Sequence, residues 1–71
     1  MSSYNSELDR LVDNLYLLES VFDNISDSNL IYFFCRKYRL LMREIRFTNN
    51  ISLERLIKEN NDLEKILLVH S

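Results

Sequence analysis

Apolar residues near the start of the chain fall at Leu8, Leu11, Val12, Leu15, Leu18, Phe22 and Ile25. These three- and four-residue steps mark one helical face over about five turns. Ser3 or Ser6 can cap that helix, because a serine hydroxyl accepts from the amides that a first turn leaves unpaired. The stretch NISDSN, 24–29, then collects side chains that favour caps and turns over helix interiors, and Ser26 or Ser28 can begin a second helix. That helix extends to Phe47 and breaks at Thr48–Asn50, where an asparagine can take the left-handed conformation usually supplied by glycine. Asn50 or Ser52 starts the third; with Ser52 as the cap, Ile51 and Leu56 stand at the two positions of a hydrophobic staple. The pattern predicts helices over about 6–25, 28–47 and 51–68 within one domain spanning 1–71.

The faces of these helices constrain how they pack. In the second, Phe34, Tyr38, Leu41 and Ile45 share one side at about 100° per residue and are expected to pack on the first helix. Phe33, Leu40 and Phe47 recur every seven residues on another side, and one hairpin interface cannot bury both. Either the third helix covers this second stripe, or the stripe, flanked by Arg36 and Arg43, is a contact surface for another protein or a second copy. Aromatic and arginine residues are the usual anchors of such surfaces. In the third helix Leu53, Leu56, Asn60, Leu63 and Leu67 are spaced three, four, three and four, a coiled-coil seam containing an asparagine. Leu56, Asn60, Leu63 and Leu67 then either pair with the same seam in a second chain or lie on the hairpin as an ordinary amphipathic helix. The expected fold is all-α: a small three-helix bundle, or an antiparallel helical hairpin plus a third helix, completed by homodimerisation.

Composition strengthens the helical reading, since the 71 residues contain no glycine and no proline. A chain this short buries only about 60% of the surface its unfolded form exposes, so a staple or a partner is the rule. The single cysteine, Cys35, excludes an internal disulfide, and no cysteine and histidine cluster suits a structural zinc. A second chain is the staple left. No apolar run approaches the roughly 18 residues of a membrane-spanning helix, and the N-terminal stretch lacks the pattern of a signal peptide. A soluble, cytoplasmic, reduced protein is expected. Abundant Asn, Ile, Tyr and Leu without Gly or Pro suits an AT-rich genome, including a phage or other mobile element.

Charge is unevenly distributed: residues 1–29 carry a net −5, residues 30–50 a net +4 and residues 51–71 a net −1. In the first segment Asp9 and Asp13, Glu19 and Asp23, and Asp23 and Asp27 are like charges four apart, each pair costing a few tenths of a kcal/mol in an isolated helix. In the second, Arg36, Arg39, Arg43 and Arg46 form one stripe. Two such helices are expected to lie antiparallel, each relieving the other's self-repulsion. Alternatively the basic stripe, with Tyr32 beside it, grips nucleic acid. The overall net charge of −2 and the acidic first helix argue against that use.

Catalysis would require a nucleophile beside a base, or carboxylates in unequal environments. The sole histidine, His70, lies near the end and is expected to fray, and Cys35, among aromatic neighbours, is expected to be buried or half-buried. No catalytic residue, metal site or cofactor is expected. Leu18 to Cys35, LESVFDNISDSNLIYFFC, resembles part of the Hha family of small helical nucleoid-associated regulators, which act by joining a DNA-bound silencing protein. That family's aspartate-histidine-arginine stretch is missing, so its partner-binding residues do not carry over. The spacing of Glu19, Ser26, Phe33, Tyr38 and Met42 is similar to that of the phycobilisome-degradation adaptors, short helical hairpins that dimerise, although their N-terminal stretch is absent. Both resemblances imply a small helical adaptor. The expected function is that of a non-enzymatic interaction module, an adaptor or inhibitor binding a partner protein through Phe33, Arg36, Leu40, Arg43 and Phe47. The alternatives are a nucleic-acid-associated regulator and a structural subunit of a larger assembly.

Overall fold

The structure, a computed structural model, describes residues 3–48 and 51–70. It contains α1 (Tyr4–Val21), continued by a single 3₁₀ turn at Phe22–Asn24, then α2 (Ser28–Phe47) and α3 (Leu53–His70). Among the described residues there is no strand. The all-α bundle expected from the pattern is present: α2 spans 28–47 as predicted, α1 starts two residues and ends four residues earlier than predicted, and α3 lies two residues later.

Each helix start is set by a short polar side chain. The Ser3 hydroxyl accepts from the Ser6 amide at 3.1 Å, and the Ser52 hydroxyl accepts from the Arg55 amide at 3.1 Å. For α2 the cap is Asp27 rather than Ser26 or Ser28: its carboxylate accepts from the Asn29 amide at 3.0 Å. An ionised cap also meets the positive end of the helix dipole, which a serine does not. Thr48 closes α2 by donating through its hydroxyl to the Glu44 carbonyl at 2.6 Å. The expected roles of Asn49 and Asn50 in the turn lie outside the described residues. Ile51 and Leu56, the staple pair, are both buried in the core.

α1 and α3 make the closest helix pair. Their contacts advance together along the chain, Glu7 with Asn60, Asn14 with Glu64 and Asn24 with His70, so the two helices are parallel. The reason lies in matching seams. α1 buries Glu7, Leu11, Asn14 and Leu18, and α3 buries Leu56, Asn60 and Leu63; both sets step by threes and fours, the period at which two helices keep one side facing each other. α2 runs antiparallel to α3, with Lys37 beside Glu59 and Glu44 beside Arg55. It closes the core with Phe34, Tyr38, Leu41 and Ile45, the four positions expected from its main apolar face.

This arrangement bears on two expectations. Leu56, Asn60 and Leu63 are fully buried and Leu67 packs against the core, with α3 lying on α1 of the same chain, the second of the two placements expected for this seam. Among the described residues no ion pair joins the oppositely charged α1 and α2: the ion pairs between helices run from α1 to α3, Arg10 to Glu64 at 2.7 Å, and from α2 to α3, at Lys37–Glu59 and Arg55–Glu44. Exposed ion pairs contribute about 0–1 kcal/mol each, too little to override a buried seam. His70, expected to fray, is half-buried at the end of α3, its ring 6.3 Å from that of Phe34 and its carbonyl accepting from the Asn24 amide at 3.1 Å.

Candidate interaction face on the second helix

Because α2 turns Phe34, Tyr38, Leu41 and Ile45 inward, the residues on the opposite side of the helix are carried outward. Phe33 is 57% exposed, Leu40 50% and Phe47 75%. The third helix does not cover them. Tyr32 is exposed beside them, and so is Cys35, against the expectation that the thiol would be sheltered. Phe33 rests its ring 6.0 Å from that of buried Phe34, so the outer aromatic is braced by the inner one.

The charged residues of α2 divide into two groups. On the side turned to α3, the Lys37 ammonium lies 3.7 Å from the Glu59 carboxylate and 5.3 Å from the centre of the Tyr38 ring, and Glu44 meets Arg55 at 2.8 Å. On the outer side, Arg36, Arg39, Arg43 and Arg46 are exposed and, among the described residues, take part in no ion pair. The five residues predicted as a partner-binding set, Phe33, Arg36, Leu40, Arg43 and Phe47, therefore share one solvent-facing surface. Two shallow grooves cross it, one lined by Tyr32, Cys35, Arg36, Arg39 and Leu40, the other by Arg39, Met42, Arg43, Arg46 and Phe47. Arg39, Arg46 and Tyr32 were visible in the sequence as part of the basic stripe; Met42, half-buried in the second groove, entered only through the adaptor-like spacing.

Polar groups also join α1 to α3. Arg10 donates to Glu7, Glu64 and Asn61, which raises the guanidinium above its ordinary value, chiefly through Glu64. Hydrogen bonds from Arg10 and Asn14 hold the Glu64 carboxyl below the usual range against a smaller opposing effect of burial. The Tyr4 and Tyr38 hydroxyls and one Glu59 carboxylate oxygen are buried without a hydrogen-bond partner. Burial first, then the Glu59 and Asp62 carboxylates, push the Tyr38 phenol up to about 12. Both its surroundings and its place in the core make Tyr38 structural.

Among the described residues no group of three or more His, Cys, Asp or Glu side chains is placed to hold a metal ion. No described helix is long and apolar enough to cross a membrane. Fold and face together define a small helical bundle with an exposed amphipathic surface on its middle helix. Comparison with known protein families, with characterised proteins and with solved structures finds no match, so neither family resemblance gains support.

Proposed function

We propose that this protein is a non-enzymatic interaction module that binds another protein through the outer face of α2, as an adaptor or inhibitor. The observation that carries the reading is the exposed row of Phe33, Leu40 and Phe47 at seven-residue spacing, bordered by the unpaired Arg36 and Arg43. Large apolar side chains exposed in a continuous row are uncommon on small soluble proteins and mark contact sites. Arginines free of internal partners favour a surface with carboxylates around an apolar centre, since guanidinium and carboxylate pair in a planar, two-point geometry.

The test is affinity capture from cells that produce the protein, comparing wild type with a Phe33→Glu, Leu40→Glu double variant whose helicity is checked by circular dichroism. The reading holds when a protein retained by wild type at high salt is lost from the folded variant. Equal retention by both chains overturns it. Capture of DNA or RNA that is released steeply by salt would instead favour the nucleic-acid reading, for which the exposed arginine stripe and Tyr32 are the motivating features.

A further inference from the structure

A second surface lies on the other side of the arginine stripe, and it joins α1 to α2. Val12, Leu15, Tyr16 and Glu19 of α1 line a shallow groove with Met42 of α2. Met42 also lines the groove that holds Arg39, Arg43 and Arg46, so the two depressions form one continuous face with Met42 at its middle. The α1 half of this face is acidic and partly apolar: Asp9, Glu19 and Asp23 are exposed, Tyr16 is 70% exposed, and among the described residues none of the three acids takes part in an ion pair. The α2 half is basic and equally unpaired. Each half thus carries the charge that the other lacks, yet within one chain they do not neutralise each other.

We infer that this α1–α2 face is the docking site of a second copy of the chain, the acidic half of each copy lying on the basic half of the other. A two-fold axis makes an interface isologous: if residue i of one copy meets residue j of its partner, then j meets i. A face with acids on one side of Met42 and arginines on the other meets that condition when the axis passes near Met42. Arg39 of one copy then lies against Glu19 of the other, and Arg46 against Asp9, while Met42, Val12 and Tyr16 supply the apolar centre. The alternative two-fold packing, α1 on α1 and α2 on α2, places like charges together and is disfavoured by the same residues. The inference goes beyond the partner-binding reading, because it uses the side of α2 turned to α1 and leaves Phe33, Arg36 and Leu40 free, with Phe47 at the edge of the shared groove.

The experiment is light scattering after size exclusion over a range of concentrations, on wild type and on two charge-reversed chains, Arg39→Glu with Arg46→Glu and Asp9→Arg with Glu19→Arg. Wild type is expected at twice the 8.6 kDa chain mass, and each reversed chain at the single mass with its helicity retained. An equimolar mixture of the two reversed chains is expected to return to the double mass, because each now offers what the other needs. A wild type that stays single at all concentrations overturns the inference, as do reversed chains that remain double, a mixture that remains single, or an open series of larger species. If a reversed chain fails to fold, wild type alone decides: dimerisation is expected to weaken by roughly tenfold or more as salt rises through the range in which exposed charges are screened, and salt-independent mass overturns it. The Phe33→Glu, Leu40→Glu variant is expected to remain a dimer; a monomer would place the second copy on the apolar row instead and overturn this assignment.

Discussion

The side-chain amide of Asn60 donates to both the backbone carbonyl and the carboxylate of Glu7, at 2.9 Å each. Asn60 is fully buried and Glu7 nearly so, which makes this the polar centre of the α1–α3 seam. Arg10 reaches the same carboxylate at 3.1 Å from the solvent side, and Asn14 approaches Asn60 at 3.5 Å. A buried carboxylate is tolerated only where donors surround it. Because those donors sit at fixed steps on two helices, a slip of one turn would leave both the acid and the amide unsatisfied, so the network sets the register of the parallel pair.

Asn60→Ala should therefore cost about 2–4 kcal/mol, more than its lost volume accounts for, because it strips a donor from a buried acid. Thermal unfolding followed by circular dichroism measures this. Glu7→Leu combined with Asn60→Leu should recover most of that loss, since replacing both partners with apolar groups removes the unmet demand; a double variant weaker than Asn60→Ala would refute this account of the seam.

Leu40 and Leu41 are adjacent in sequence and opposite in consequence. Leu41→Glu places a charge in the core and should unfold the chain, whereas Leu40→Glu should change stability by less than about 1 kcal/mol. Urea titrations of the two variants, each compared with wild type, check the contrast.

Tyr38 predicts how stability responds to alkali. Its folded-state value is raised to about 12 from an ordinary 10.0, so the unfolded chain gives up the phenolic proton first. The contribution is fully present below pH 10 and is lost as pH rises from there through about 12. Tyr38→Phe should flatten this alkaline decline. It should also raise the unfolding temperature, because a buried hydroxyl without a partner is removed and the ring is kept. Stability against denaturant at pH 8 and pH 11 on both chains provides the measurement.

Cys35 is exposed on the interaction face and should react with a thiol reagent in the native state at a rate close to that of the unfolded chain. Protection of the thiol on adding a binding partner would map the footprint of that partner. Alkylation only under denaturing conditions would mean that this part of α2 is covered.

Much of the fold was legible because it follows from period alone. Phe34, Tyr38, Leu41 and Ile45 could be assigned to the core since these large apolar residues share one side of α2 at three- and four-residue steps, and Ser52 with Ile51 and Leu56 announced the start of α3. The choice of partner for α1 was not legible from charge. Opposite nets on α1 and α2 suggested a hairpin held by ion pairs, but solvent-exposed pairs are worth too little to decide topology. The deciding signal was polar and lay inside the pattern: Glu7 and Asn14 continue the steps of Leu11 and Leu18, and Asn60 continues those of Leu56 and Leu63. The residues of the candidate face were legible as a stripe. Whether the stripe was covered was not, because that depends on where α3 settles, and α3 settles against α1.

Since α3 recognises α1 across some fifty residues of sequence, as in the pairings of Glu7 with Asn60 and Arg10 with Glu64, the first two helices hold few of the specific contacts that define the native state. During synthesis the chain would therefore remain without its defining helix pair until α3 has been made. Until then the aromatic residues of α2 have no finished core to enter. Folding is therefore expected to wait on α3, the helix that completes the seam α1 begins.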